Sequence, residues 1–220
     1  MEVTKATNFN NPHIGLFARS SESIVAFGAS VSQKLSDKLS LLEAERVEVS
    51  LGNSGLAGIF ISMNSNGAVV PSFCEQNEVD LLKEKGLNVL RISGGFSAAG
   101  NNISANDFGA VANPGISRED VRKISDCLGV EVVQKRVAGY LTVGSCLLAT
   151  NKGFLAHNRA SEEELKELKS ILRVDGQNCT LNAGVPFISI CAIANSHCAI
   201  FGEATTGFET GRAASSLGLA

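Results

Sequence analysis

A turn between two apolar strands occurs four times in this sequence, and this repetition limits the possible folds more than any other feature. In the first copy, Met63–Pro71, an apolar strand turns at Asn64 and Gly67 and leaves as a second apolar strand. The leading asparagines of the four copies are residues 64, 106, 151 and 195, so the spacings are 42, 45 and 44 residues. A fixed period of this length is typical of repeat architectures.

Each repeat contains the same predicted elements: a rim loop with glycine, a strand, the asparagine turn, a second strand, an acidic helix and a third strand. The first repeat is the most divergent, because its predicted turn at 19–23 lacks Asn-Gly. The first strand is predicted at 14–18 in the first repeat and at 188–194 in the fifth, and the fifth repeat ends before its third strand. We predict one domain, 1–220, with repeats near 13–51, 52–93, 94–138, 139–181 and 184–219 and an N-terminal strand at 2–8.

The N-terminal strand can supply what the fifth repeat lacks, because Glu2–Ala6 precedes Gly15 by the distance that separates third strands from rim loops elsewhere. A ring closed in this way leaves no exposed sheet edge. The sequence therefore predicts an α/β fold with five β/α units around a pseudo-five-fold axis and the helices outside.

Apolar spacing and capping residues predict one helix in each repeat. Ser161 and Glu164 form a capping box, and Ser117 with Asp120 resembles one. Gly86 and Gly129 are typical helix ends. The five helices are predicted to span about 32–43, 75–85, 117–129, 161–172 and 209–217.

Composition and charge disfavour several functional classes. The chain has 220 residues, a net charge of −3 and no block of Lys or Arg, which disfavours nucleic-acid binding as its main activity. Its mild acidity would suit a basic protein partner. Since no long apolar run and no signal peptide are present, we predict a cytoplasmic protein that does not enter a membrane.

The cysteines and histidines do not form a recognisable catalytic or metal-binding motif. No two of the six cysteines have Cys-x-x-Cys spacing, and most lie among apolar residues, as small buried side chains do. His197 and Cys198 are adjacent and would face opposite sides of a strand. We predict no catalytic residue, metal or cofactor. The glycine-rich segment 94–100 lacks the ending of a phosphate loop.

The rim loops are the candidate functional site, because a closed ring gathers all five on one face. Ile59 and Phe187 would be apolar groups there, beside the polar Asn101 and Ser145. Apolar anchors with polar surroundings are typical of a protein-binding surface. The alternative is that these side chains pack beneath neighbouring loops. The candidate partner-binding residues are Gly15, Ile59, Gly100, Asn101, Asn102, Ser145 and Phe187.

One set of motifs extends over almost the whole chain, in the stretches 99–101 with 106–107, 142–145, 150–153 with 155–157, 193–196, 205–207 and 217–219. Together these motifs resemble the archaeal form of the translation initiation factor 6 family. The chain departs from the usual family pattern at Ile59, often Arg, at Asn158, usually Pro, and at Cys198, usually Gly.

The resemblance implies a pentein fold and a non-enzymatic factor. Such a factor binds the large ribosomal subunit, prevents premature association with the small subunit and acts in late subunit maturation. The resemblance also implies that the rim face docks onto a ribosomal protein of the L14 type, with Asn101 at a contact position. An L24e-type protein and the sarcin–ricin loop would lie nearby, and the factor would act as a monomer. Because the pentein fold also supports Cys-dependent enzymes, a hydrolase or transferase of guanidino substrates is the alternative.

Overall fold

The computed structural model describes residues 2–92 and 94–220, and within them fifteen strands form five three-stranded sheets. The strands are β1 Glu2–Ala6, β2 Ala18–Ser20, β3 Ile24–Gly28, β4 Glu45–Val49, β5 Ser62–Met63, β6 Gly67–Pro71, β7 Asn88–Ile92, β8 Ile103–Ala105, β9 Ala110–Ala112, β10 Val132–Gln134, β11 Leu147–Ala149, β12 Phe154–His157, β13 Gly176–Cys179, β14 Ala192–Ala194 and β15 Cys198–Gly202.

The helices form an outer set and an inner set. The outer helices are α1 Gln33–Leu39, α3 Gln76–Glu84, α5 Arg118–Leu128, α7 Glu162–Leu172 and α9 Gly207–Ser216. The inner helices are α2 Ala57–Phe60, α4 Ala99–Asn102, α6 Val143–Cys146 and α8 Ile188–Cys191, and the 3-10 helix Ile14–Leu16 takes the same place in the first unit. Further 3-10 turns cover Ser40–Leu42 and Gly94–Phe96.

All five sheets have the same topology, in which an antiparallel hairpin is followed by a parallel third strand. In the fifth sheet that third strand is β1, which pairs with β15 from Glu2 opposite Cys198 to Ala6 opposite Gly202. The predicted closure by the N-terminal strand is therefore confirmed. The fold is an α/β pentein of five pseudosymmetric units, as predicted.

The hydrophobic core is divided into five clusters, and each cluster is shared by two neighbouring units. Ile24 and Val47 of the first unit pack with Leu82 of the second, for example. Val69 of the second unit packs with Ile124 of the third. Since no unit buries its apolar surface alone, the ring stabilises each unit through its neighbours.

The inner helices correct part of the predicted secondary structure. Residues 14–18 and 188–194 were expected to be strands, but each begins with a helical turn and only its last residues are in a strand. Arg19, placed by the sequence in a turn, lies within β2. Helices of three or four residues have almost no intrinsic stability, so packing rather than sequence pattern determines them.

The turn residue of the fourth unit is Thr150 rather than Asn151. The Asn64 side-chain oxygen accepts hydrogen bonds from the backbone N–H groups of residues 66 and 67. The Thr150 hydroxyl oxygen accepts the matching bonds from residues 152 and 153. The equivalent positions in these four units are therefore 64, 106, 150 and 195.

No helix among the described residues is long and apolar enough to span a bilayer.

Candidate functional site

The inner helices surround the axis at one end of the ring, and we call this end the ring-helix face. Each hairpin turn lies at the other end, which we call the turn end. The ring-helix face carries all seven predicted site residues, since each lies in an inner helix or at the start of one.

Glycine allows the inner helices to approach one another around the axis. A Cβ atom at Gly58 would lie 1.9 Å from the carbonyl oxygen of Gly15, and one at Gly100 would lie 2.3 Å from that of Gly58. Gly144 has the same relation to Gly100. Both glycines predicted as site residues, Gly15 and Gly100, are therefore required by the packing. Contact with a partner remains a prediction for them.

The fifth position of this glycine series is Ser189, two residues after Phe187. The carbonyl oxygen of Ser189 would lie 2.0 Å from a Cβ atom at Gly15, which closes the series. Phe187 instead lies immediately before α8. The residues in the same position before the other inner helices are His13, Leu56, Ala98 and Thr142.

The two asparagines after Gly100 have different surroundings. Asn101 is half-buried, and its side-chain oxygen accepts a hydrogen bond of 3.0 Å from the Ser145 hydroxyl of the next unit. Asn102 is buried and bonds to Ala98 and Asn113 within its own unit. Ser145 therefore holds the Asn101 side chain from the next unit, whereas Asn102 stabilises its own unit.

Phe187 belongs to an aromatic cluster with Tyr140 and His157. The ring centroids lie 4.9 to 5.4 Å apart. His157 is 1% exposed, and burial followed by the charge of Arg159 lowers its pKa. Its Nδ1 accepts a hydrogen bond from the Arg159 backbone N–H. Phe187 is half-buried. Part of its side chain packs against neighbouring residues and part is exposed, so both of the alternatives given by the sequence apply to this residue.

Three exposed apolar side chains, which lie on or against the turns that precede the inner helices, were missed by the sequence analysis. Phe9 is 77% exposed in the turn before Ile14–Leu16, and Leu141 is 43% exposed just before α6. Phe73, 47% exposed, packs against Phe60 and lies over Gly52 in the turn before α2. An apolar residue inside a polar turn, such as Phe9 in Asn-Phe-Asn-Asn, was an available signal. With half-buried Ile59, these residues make the edge of the face apolar.

Arg19 occupies the central channel just beneath the ring-helix face. Its guanidinium donates to the carbonyl oxygens of Gly58 and Gly100 at 2.8 and 3.1 Å and to the Ser189 hydroxyl. Burial lowers the pKa of Arg19 to about 10, which leaves it protonated at neutral pH. The first unit thus contacts the second, third and fifth through one side chain.

At the turn end, Glu22 and Asp107 face the channel mouth. Glu22 accepts hydrogen bonds from the backbone N–H groups of Asn151 and Ser196, each at 3.0 Å. Asp107 accepts from Ser65 and from the Asn151 side chain. These carboxylates therefore join the units at this end through hydrogen bonds to neutral groups.

The thiols do not resemble catalytic nucleophiles. All six cysteines are buried, and burial is the main cause that raises their pKa, to about 12 for Cys74, Cys146, Cys179 and Cys191 and about 11 for Cys198. A thiol needs a lowered pKa to react as a thiolate near neutral pH. These pKa values oppose the Cys-dependent alternative. Among the residues described, no group of three His, Cys, Asp or Glu side chains could hold a metal.

A family model described as the eIF-6 family matches residues 3–216. The chain belongs to the eIF-6 family. Translation initiation factor 6 of Picrophilus torridus is 36% identical over 96% of this chain and 97% of its own length. The protein of the same name from Thermococcus onnurineus is 33% identical over 99% of both chains. The one from Nitrosopumilus maritimus is 35% identical over 95% of this chain and 96% of its own. Membership of the eIF-6 family thus extends over essentially the entire pentein ring.

Proposed function

We propose that this protein is a cytoplasmic, non-enzymatic translation initiation factor that binds the large ribosomal subunit as a monomer and prevents premature joining of the small subunit. Full-length membership of the eIF-6 family is the observation that carries this proposal. Steric exclusion requires no catalytic group, and the raised thiol pKa values agree with that. We further propose a role in late maturation of the large subunit, on the ground of the same family membership.

The ring-helix face is the proposed docking surface. It combines the Asn101 amide with apolar side chains at Ile59 and Phe187, a composition typical of protein interfaces. We propose a ribosomal protein of the L14 type as the docking partner, with an L24e-type protein and the sarcin–ricin loop nearby. The net charge of −3 favours a basic partner of this kind.

Sedimentation of purified subunits tests the proposal. We expect the protein to travel with the large subunit and to reduce the joined particle at stoichiometric amounts. A protein that stays at the top of the gradient while joining is unchanged would refute it. Labelling of the native protein with a thiol reagent near neutral pH tests the enzyme alternative, for which a rapidly reacting cysteine is required.

Asn101→Ser tests the face itself. The shorter side chain removes a half-buried amide from the face and should weaken large-subunit binding without unfolding the ring. Asn66→Ser is the matched control, because Asn66 is exposed at the turn end. Equal affinities of the two variants would exclude Asn101 as a contact, and circular dichroism would verify that both are folded.

A further inference from the structure

The central channel contains a half-buried cation, Arg19, whose charge is not matched by a neighbouring anion. Arg19 makes no ion pair within the described part of the chain, and burial is the only cause of its altered pKa. Its nearest acid in sequence is Glu22, whose carboxylate bonds to Asn151 and Ser196 at the turn end.

The hydrogen-bonding capacity of Arg19 is only partly used. A guanidinium has five N–H groups. Three of them donate to Ser189, Gly58 and Gly100. The buried Nε has no acceptor among the described residues. Buried charges and donors without partners are costly, so a bound anion would be stabilised here.

The channel beside Arg19 has room for one small ion. A cavity of about 20 Å³, which is enough for a single water-sized ligand, is lined by Arg19, the hydroxyl residues 20, 62 and 104, and apolar residues from the strands. The Ser20 and Ser62 hydroxyls donate to the carbonyl oxygens of Ala194 and Ile103. Ser104 lines the same cavity, and its hydroxyl hydrogen is not donated to any of the described residues.

We propose that the channel binds one small monovalent inorganic anion of the halide class between the Arg19 guanidinium and the Ser104 hydroxyl. A halide accepts hydrogen bonds from both groups and balances the charge of Arg19. The apolar wall around Leu148 and Ala149 favours a weakly hydrated anion over a multiply charged one. This site lies inside the channel, beneath the proposed docking face.

Bromide and chloride are the probes for this site. Crystals of the full chain grown in bromide should show an anomalous peak beside Arg19. In solution, the line width of chloride-35 nuclear magnetic resonance should increase with protein and decrease when bromide competes. Ser104→Ala should lower chloride affinity about tenfold, equivalent to about 1.4 kcal/mol. Arg19→Gln should abolish the effect.

Two controls separate this site from general electrostatics. Ser62→Ala changes a hydroxyl that lines the same cavity but donates elsewhere, so it should keep the anion. Arg122→Gln removes an exposed charge outside the channel and should also keep it. If Arg19→Gln does not fold, Ser104→Ala and Ser62→Ala decide the question. Absence of the bromide peak from the wild-type channel, or equal chloride affinity of Ser104→Ala and Ser62→Ala, would overturn the proposal.

Discussion

Gly15, Gly58, Gly100 and Gly144 determine how closely neighbouring inner helices approach. At each of them a methyl group would overlap a backbone carbonyl oxygen of the adjacent unit. A backbone cannot move aside as a flexible side chain can, so even alanine would separate the helices. Of these four glycines, the sequence suggested Gly15 and Gly100, and it suggested them only as part of a binding surface.

We predict that Gly144→Ala destabilises the ring by about 3 kcal/mol, the upper part of the usual range for overpacking. Its Cβ would lie 2.3 Å from the carbonyl oxygen of Gly100. Gly211→Ala, in the exposed part of α9 with nothing within 4 Å of its new Cβ, should instead stabilise by about 0.5 to 1 kcal/mol. Urea unfolding of both variants measures the difference. A neutral Gly144→Ala would contradict the proposed close approach.

Glu209 is a second residue whose role depends on tertiary contacts. Burial alone would raise its pKa, but hydrogen bonds from Thr206, Thr180, Gly184 and Ala183 lower it from 4.5 to about 2. The bonds to Gly184 and Thr180 measure 2.8 and 2.7 Å. The carboxylate thus joins the start of α9 to the rim turn before α8.

We predict that Glu209→Gln lowers the free energy of unfolding by about 2 kcal/mol at neutral pH, since hydrogen bonds to charged groups contribute more than neutral ones. A folded-state pKa below the unfolded value means that the stabilisation is present above pH 4.5 and lost as the pH falls towards 2. The difference in free energy of unfolding between the wild type and Glu209→Gln should therefore disappear as the pH falls from 4.5 towards 2. The exposed Glu203→Gln is the control. An advantage that persists unchanged at pH 2 would refute this assignment.

The hairpin turns show how one side chain connects secondary-structure elements. The Asn106 amide nitrogen donates to the carbonyl oxygens of Thr150 and Leu172 at 3.0 and 2.9 Å, and Asn64 makes the same pair of bonds to Asn106 and Leu128. Each asparagine therefore ties its turn to the hairpin and the outer-helix end of the next unit. Thr150 closes its own turn but has no amide nitrogen to donate.

We predict opposite effects for a pair of reciprocal substitutions. Asn106→Thr keeps the local turn but loses two buried inter-unit hydrogen bonds, which should cost about 2 to 3 kcal/mol. Thr150→Asn should gain bonds to the carbonyl oxygens of Asn195 and Leu217 and stabilise by about 1 kcal/mol. Thermal and urea unfolding of both variants test this. Destabilisation by Thr150→Asn would mean that the fourth unit cannot accommodate the amide.

The sequence predicted those elements whose signals are local. The outer helices begin within a few residues of their expected starts, and the Ser161–Glu164 capping box is present. The carboxylate of Glu164 also accepts a hydrogen bond of 2.8 Å from the backbone N–H of Ala138, in a distant turn. That second contact depends on the neighbouring unit. The inner helices and Arg19 were missed for the same reason, because contacts across the ring determine them.

At the scale of the whole molecule, the ring explains which surfaces remain available for partners. The five shared core clusters occupy the spaces between units, and the outer helices cover the circumference. The ring-helix face combines rigid positioning with exposed apolar groups at its edge. Rigid elements hold a binding surface more precisely than loops do. The candidate residues came from the rim loops, whereas Phe9, the most exposed large apolar side chain of the described residues, was missed although it interrupts a polar turn.

Phe9 provides the sharpest test of which surface docks. Its side chain is 77% exposed, so Phe9→Ser should leave the free energy of unfolding nearly unchanged. If the ring-helix face binds the large subunit, burial of this ring would contribute about 1.5 to 3 kcal/mol, and its loss should weaken binding about tenfold or more.

Phe208 is the matched control, because it is 74% exposed on α9 at the circumference, over Arg212. Phe208→Ser removes the same apolar group from a different surface, so it should bind large subunits as the wild type does. Co-sedimentation at increasing factor concentration compares the two variants. Loss of binding in Phe208→Ser but not in Phe9→Ser would move the docking surface from the ring-helix face to the circumference. Equal loss in both would indicate general hydrophobic adhesion, because only a specific interface distinguishes two equally exposed phenylalanines by their position on the ring.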